Sequence, residues 1–284
     1  MKKNLKYYLK KAQKEGWAIG QFNFSDFSQL KGIVAAAQKM RSPIILGTSE
    51  GESGFLGINQ AVSLVKAFCQ ETKLPIYLNL DHGKNLGYLK RVAFSGYDAV
   101  HFDGSALTLA ENWRITKRLA VYAQPKGVVV EGEVGNLRGT SELHSGTVLV
   151  NETDLTRPEE AEFFSKKTGV DSLAVSIGNV HGVYEQMPVL DQERLREIKK
   201  RTKVFLVLHG GSGFAAEEIK KAIENGIVKI NINTEIRVAW RKAIKGVLEQ
   251  SEEVRPYKLL LPVVEAVQKV VEEKIRIFGS ANKK

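Results

Sequence analysis

Three of the five histidines in this 284-residue chain are each followed directly by glycine at the end of an aliphatic or β-branched run: Leu80-Asp81-His82-Gly83, Asn179-Val180-His181-Gly182 and Leu208-His209-Gly210. Neutral imidazole is the commonest transition-metal ligand, and three protein ligands with one position left open make a catalytic rather than a structural zinc site. A glycine just after the ligand lets the backbone turn away and leaves room for a substrate. One such histidine alone is ordinarily a hydrogen-bonded core or turn residue. Three in matching contexts predict a metal centre laid across three strand ends. Asp81 immediately precedes one ligand, and neighbours along a strand point to opposite faces. It is therefore expected to face the substrate as an acid or base while His82 faces the metal, the alternative being a hydrogen bond that orients a ligand.

Residues from distant segments converge this way only if the fold brings strand ends together. Short aliphatic runs alternate with helical patterns from end to end, with strands expected at 18–22, 43–46, 76–80, 99–102, 127–130, 172–176, 204–208 and 228–230. Helix-period stretches between them, such as 27–40, 85–95, 157–168 and 215–225, complete the pattern of a (β/α)8 TIM barrel. Residues 4–15 read as an additional N-terminal helix closing the barrel bottom. Residues 235–250 and 258–278 read as two C-terminal helices available for packing between subunits. No Pro- or Ser-rich linker divides the chain, so 1–284 is expected to be one domain. Two stretches, 133–156 and 178–191, are too irregular and long for ordinary βα loops and are expected to be mobile active-site loops.

In such a barrel the chemistry sits at the C-terminal ends of the strands. Asn23 follows strand one, Asp81 and His82 strand three, Asp103 strand four, Glu131 and Glu133 strand five, His181 strand six, His209 strand seven and Asn231 to Thr234 strand eight. Gly210-Gly211-Ser212-Gly213 and Asn231-Ile232-Asn233-Thr234 each lead into a helix. Amides in a glycine turn beside helix N-termini cradle anions, and the loops after strands seven and eight are the usual phosphate site of the fold. A metal facing a phosphate pocket points to a sugar phosphate whose ketone is polarised by the ion while an enediolate develops.

Composition narrows the field. Forty-two Lys and Arg against 32 Asp and Glu leave a net charge of +10. The basic residues are scattered rather than gathered in one aromatic-interleaved patch, which argues against nucleic acid and membrane and for an anionic substrate. The densest basic runs are terminal, 1–11 and 274–284, and read as solvated helix faces and tails. Cys69 is the only cysteine and reads as a small buried residue on a helix over 61–70, so no intrachain disulfide is possible. The start, Met1-Lys2-Lys3-Asn4-Leu5-Lys6, lacks the apolar segment of a signal peptide, and no apolar run approaches the ~18 residues of a membrane span. A cytoplasmic protein is expected.

The segments Asn79-Leu80-Asp81-His82-Gly83, Phe102-Asp103-Gly104-Ser105, Glu131-Gly132-Glu133-Val134-Gly135, Ile177-Gly178-Asn179-Val180-His181-Gly182, Leu208-His209-Gly210-Gly211-Ser212-Gly213 and Asn231-Ile232-Asn233-Thr234-Glu235 resemble, in order, the motif blocks of class II, metal-dependent ketose-bisphosphate aldolases, the fructose- and tagatose-bisphosphate enzymes. The likeness spans about Gly20 to Gly279. It implies His82, His181 and His209 as ligands of a catalytic Zn2+ or another divalent ion, with Asp103 and Glu133 near an alternate position of that ion. It implies Asp81 as the group exchanging a proton with the C4 hydroxyl during C3–C4 cleavage. Gly182, Gly210, Gly211, Ser212, Asn231 and Thr234 would hold the dihydroxyacetone-phosphate end, beside a monovalent cation, Na+ or K+, held by backbone carbonyls. Asn23 and Ser49 match positions facing the same end. Arg237 matches an arginine that in one branch reaches the far phosphate in a neighbouring subunit, so a homodimer or homotetramer is implied.

The chain departs from the family pattern in three places. Asn79 stands where relatives often have histidine. The loop offers Gly139-Thr140-Ser141-Glu142 instead of a glycine pair with adjacent acids, so proton transfer at the enediolate carbon is assigned to Glu142, with Glu131 and Glu152 as the next candidates. Asn233 stands where fructose-directed relatives often have aspartate and tagatose-directed ones alanine, which leaves the C4 preference open, with fructose 1,6-bisphosphate as the first expectation. Two other functions compete. A barrel hydrolase would activate water at the metal, but the chain lacks the His-x-His pair after strand one that barrel amidohydrolases use. A non-enzymatic phospho-sugar scaffold would have no need of Asp81 and all three histidines together.

Overall fold

The computed structural model describes residues 3–284; Met1 and Lys2, the start of the basic N-terminal run, lie outside the described residues. The strands are β1 (Ile19–Asn23), β2 (Ile44–Ser49), β3 (Ile76–Gly83), β4 (Ala99–Phe102), β5 (Val129–Val134), β6 (Gly139–Thr147), β7 (Ser172–Val175), β8 (His181–Gln186), β9 (Phe205–Leu208) and β10 (Ile227–Ile232). Eight of them close a parallel barrel in the order β1-β10-β9-β7-β5-β4-β3-β2. Those eight are the expected strands, and helices stand between them. The chain folds as a TIM barrel. Their boundaries shift for local reasons: β5 begins at Val129 because Gly127, at φ +80°, ends a 3-10 turn over Gln124–Lys126.

The barrel is closed from below. Helix Leu5–Glu15 is capped by the Asn4 side chain, which accepts from the Tyr7 amide, and terminated by Gly16 in the left-handed conformation. Its Leu5, Tyr8, Leu9 and Ala12 form one buried cluster with Trp17, Ile19, Ile45, Tyr77, Ala99, Val129, Phe205 and Val228, several of them at the first positions of the barrel strands. Burying such side chains contributes about 1.5–3 kcal/mol each relative to exposure. The floor is thus apolar and held fast, and polar residues collect at the opposite mouth.

The long C-terminal segment departs from expectation. It breaks at Leu260 into Pro256–Leu259 and Leu261–Ile277, with Pro262 in the first turn of the second helix, where its missing N–H costs nothing. Val263, Val267, Val271 and Ile275 of that helix are buried, and it packs on helix Phe27–Met40 so closely that a Cβ on Gly32 would lie 2.7 Å from the Val264 carbonyl oxygen. This face closes the chain's own barrel ring and is not available to a partner. Cys69 lies on helix Ile58–Thr72, half-buried rather than buried, its thiol 3.4 Å from the Ile76 carbonyl oxygen. Among the described residues no helix is long and apolar enough to cross a membrane.

The two stretches read as irregular loops are partly ordered against each other. β6 and β8 pair as a separate two-stranded parallel sheet over the barrel mouth, Gly139 opposite His181 and His144 opposite Tyr184. The His144 and Tyr184 rings stack at 4.5 Å with 13° between planes. The ribbon is anchored where His181 N–H donates to the Arg138 carbonyl at 2.8 Å.

Candidate active site

Asp81 and His82 lie within β3, not beyond it, and the pairing with β4 slips between Leu80 and Gly83. His82 adopts φ +49°, a left-handed conformation that costs a side-chain-bearing residue about 1–3 kcal/mol. The slip breaks the strand alternation, so both side chains reach the same cavity instead of opposite faces. His82 is displayed by backbone strain that the barrel maintains.

Around it the imidazoles cluster. His82 Nε2 stands 2.9 Å from His209 Nδ1, and the His82 ring lies 4.8 Å from the ring of His181 at the start of β8. The remaining nitrogen of each barrel histidine meets a carboxylate: His82 Nδ1 is 3.1 Å from Asp103 Oδ2, and His209 Nε2 is 2.8 Å from Glu131 Oε1. Such partners fix tautomer and ring direction in metal-binding histidines. Glu131 is in turn held by Lys229 Nζ at 2.8 Å and Ser172 Oγ at 3.2 Å, all buried.

Electrostatics follow from these contacts. Burial and the neighbouring His82 and His209 push His181 down to about 3, so it is neutral at physiological pH. Burial also lowers His209, outweighing its Glu131 bond. Burial opposes the ionised form of Glu131, but Lys229 and His209 hold its carboxyl far below the usual range. Asp81 is likewise held well down, against burial, by His82, His101, His209 and Lys229. The two lowered imidazoles, His181 and His209, thus stand beside a carboxylate base, whereas the carboxylates around His82 and His101 raise those two rings against burial.

Asp103 and Glu133 both approach His82, whose Nδ1 is 3.1 Å from Asp103 and 3.8 Å from Glu133 Oε2. Glu133 Oε2 is buried without a hydrogen-bond partner among the described residues. An orphaned carboxylate oxygen is costly unless a cation meets it, so this donor set fits a divalent ion at a second position. Four groups, Asp81, His82, His101 and His209, also lie close enough to share an ion, with ligand atoms within 4.8 Å of one another. His181 belongs to neither group, although its ring lies 4.8 Å from that of His82.

The cavity over this cluster, about 130 Å³, is lined by Asn23, Ser49, Asp81, His82, Ser141, His181, Gly182, His209, Gly210, Ser212, Asn231, Asn233, Thr234 and Arg237. Asn23 and Asn231 each donate to Asp81 at 3.0 Å, one to each carboxylate oxygen. Gly210, at φ +60°, could carry no side chain: its Cβ would lie 2.0 Å from the Val180 carbonyl oxygen. Asn233 follows β10 as the N-cap of helix Thr234–Gln250 and makes no side-chain cap bond. Gly211 lies behind the wall, its amide donating to the Asn231 carbonyl at 3.1 Å. Glu142 sits exposed on β6 and off the wall, while its neighbour Ser141 is on it. Glu152, one of the fallback proton carriers, is bound to Arg194.

Several residues of the site were not singled out from sequence, among them Ser141, Lys229 and Ser172, and two more carry particular weight. Glu52 accepts from Ser49 N at 2.8 Å, Asn23 Nδ2 at 3.2 Å and Arg237 Nη2 at 2.7 Å, tying three cavity residues together. The Ser49-x-x-Glu52 spacing is a capping box at the head of helix Glu50–Leu56 and was there to be read. His101 is fully buried on β4. It stands two residues before Asp103, hence on the same side of the strand, which is the signal that could have found it.

With this geometry in hand, comparison with known proteins is decisive. A family model described as Fructose-bisphosphate aldolase class-II matches residues 3–283. A sulfofructosephosphate aldolase of Alkalicoccus urumqiensis is 38% identical over 281 residues, covering 98% of this chain and 96% of its own. A fructose-bisphosphate aldolase of Staphylococcus aureus (strain Mu50) is 36% identical over 284 residues, covering 99% and 98%. Among solved structures, the YdjI aldolase from Escherichia coli K12 superposes with a TM-score of 0.85 at 31% identity, covering 100% of this chain and 99% of that one.

Proposed function

Since the chain belongs to the class II fructose-bisphosphate aldolase family, and is therefore a metal-dependent lyase acting on sugar phosphates, we propose that it cleaves fructose 1,6-bisphosphate reversibly to dihydroxyacetone phosphate and glyceraldehyde 3-phosphate in glycolysis or gluconeogenesis. The observation that carries this reading is Asp81: a buried carboxylate held by Asn23 and Asn231 directly beside the histidine cluster and on the wall of the cavity. We assign Zn2+ to His82, His181 and His209, with Asp103 and Glu133 serving its alternate position. When bound, the ion supplies a Lewis acid that draws electron density from the ketone and from the enediolate left by cleavage.

The protein's own groups do the rest. Asp81 takes the proton of the C4 hydroxyl, the C3–C4 bond breaks, C4 leaves as an aldehyde, and the electron pair remains on the dihydroxyacetone-phosphate half as an enediolate. Asn23 and Asn231, by fixing both carboxylate oxygens, aim the base. The phosphate of that half is bound by the turn of Gly210 and Ser212, by Gly182, and by the N-terminus of the helix at Thr234, with Ser49 opposite, while Gly211, its amide spent on the Asn231 carbonyl, drops out of the cradle; helix N-termini favour anions. A monovalent cation, Na+ or K+, beside that phosphate is part of the reading. So are one domain over 1–284, a cytoplasmic location and a homodimer or homotetramer. Arg237, which in the single chain bonds to its own Glu52, is assigned to the far anionic group of the substrate, in its own or a neighbouring subunit.

Glu142 is assigned the return of a proton to the enediolate carbon, a step for which the β6–β8 ribbon must carry it inward from its exposed place. Glu142→Ala is expected to slow solvent deuterium exchange into dihydroxyacetone phosphate at least as strongly as it slows cleavage. Unchanged exchange would move the role to Glu131 or Glu152.

Substrate choice rests on Asn233, on the cavity wall at the end of β10. Asparagine donates and accepts without charge, so fructose 1,6-bisphosphate is expected to be preferred only moderately over its C4 epimer, tagatose 1,6-bisphosphate. One altered neutral hydrogen bond is worth about 0.5–1.5 kcal/mol, roughly a factor of two to ten. Asn233→Asp should widen the ratio of kcat/KM values and Asn233→Ala should narrow it; a ratio moved by neither leaves C4 reading to another residue. The relative named for sulfofructosephosphate makes a sulfonate at the far end a third substrate for the same assay, and a higher kcat/KM for it than for either bisphosphate would displace the fructose assignment.

A further inference from the structure

We infer that His101 is a positioning residue that holds His82 in its metal-facing conformation by accepting the His82 backbone amide. The claim rests on the three-histidine reading and adds to it a device in the adjacent strand. His82 N–H donates to His101 Nδ1 at 3.1 Å, where the β3–β4 register slips and the ordinary ladder can give that amide no partner. A buried amide left orphaned is unfavourable, and His82 is at φ +49° without the freedom of glycine. An imidazole nitrogen accepts a hydrogen bond only when it carries no proton, so we assign the ring's N–H to Nε2. That atom stands 3.1 Å from Glu133 Oε2, on the carboxylate assigned to the alternate ion position. Neither buried atom makes a hydrogen bond among the described residues, so their contact is one of charge proximity.

His101 has one other geometric option, since it lies close enough to Asp81, His82 and His209 to share an ion. Its ring is fully buried, packed edge-on at 4.9 Å from His82 and 4.7 Å from His209, and it lies behind the cavity wall without touching the cavity. Its Nδ1 is 3.9 Å from Asp81 Oδ1, beyond hydrogen-bonding range. One ring thus links the strained ligand turn of β3 to the Glu133 carboxylate of β5, so that the two positions assigned to the ion are built around a common support.

The test compares His101→Leu, which removes the acceptor, with His101→Asn, whose side-chain oxygen can stand near the place of Nδ1. Zn2+ affinity is measured by chelator competition on protein shown to unfold cooperatively, and the Co2+ absorption spectrum is recorded at saturation. Loss of an orienting partner typically costs 10–100-fold in metal affinity. That loss is expected for His101→Leu, with substantial recovery in His101→Asn and with Co2+ band intensities like those of the wild type, because no ligand has been removed. Wild-type affinity in a folded His101→Leu protein, equal losses in both variants, or a changed coordination spectrum would each overturn the clamp. Retention of metal by His209→Ala would instead overturn the three-histidine reading beneath it.

Discussion

His209→Ala is expected to abolish tight metal binding and cleavage together while the protein stays folded. His209 is one of three imidazoles assigned to the ion, and its ring is aimed by Glu131, itself fixed by Lys229 and Ser172. Removing the ring leaves that ion two histidines and leaves Glu131 paired with Lys229, so the barrel keeps its buried ion pair and loses its metal centre. The residue sits at the functional end of the barrel, away from the apolar floor built on helix Leu5–Glu15, and the thermal transition should remain cooperative. Metal analysis and a triose-phosphate assay on the same preparation check the result; stoichiometric metal with near-normal turnover would remove His209 from the ligand set.

Asp81→Ala should separate what His209→Ala joins. Asp81 is assigned to the proton of the C4 hydroxyl, and loss of a general acid–base group lowers turnover by roughly 10²–10⁴-fold. The three histidines remain, so metal content should be that of the wild type and the damage should fall on kcat. Asp81 also anchors Asn23 and Asn231, and Asp81→Asn, which preserves size, controls for their displacement. If both variants lose the metal instead, Asp81 is a structural partner of the histidines and not the base.

The barrel was legible because its signals are local and repeated. Eight short aliphatic runs separated by helix-period segments leave few alternatives, and glycine after a histidine marks the end of β3 and the turn after β9, whereas His181 opens β8 instead of ending a barrel strand. What the sequence concealed depends on tertiary geometry. Nothing in Asp81-His82 announces a register slip, because glycine is the usual sign of a left-handed residue and here a histidine carries it. The expectation that Asp81 and His82 face apart followed correctly from strand alternation and failed at that slip. The β6–β8 pairing was invisible because Gly139–Thr147 has no alternating apolar face, and its order comes from a partner some 40 residues away. Glu52 was readable as a helix cap but its second task, joining Asn23 to Arg237, exists only once β1, β2 and the helix after β10 meet.

The central claim is that an ion held at the strand ends makes this barrel a ketose-bisphosphate lyase, and metal removal and return test it most directly. Wild-type protein stripped with a chelator, dialysed, and titrated with Zn2+ should recover fructose 1,6-bisphosphate cleavage in proportion to bound ion, saturating near one equivalent per chain. Full cleavage activity in verified metal-free protein, or stoichiometric Zn2+ binding that restores no cleavage of fructose, tagatose or sulfofructose substrates, would contradict it.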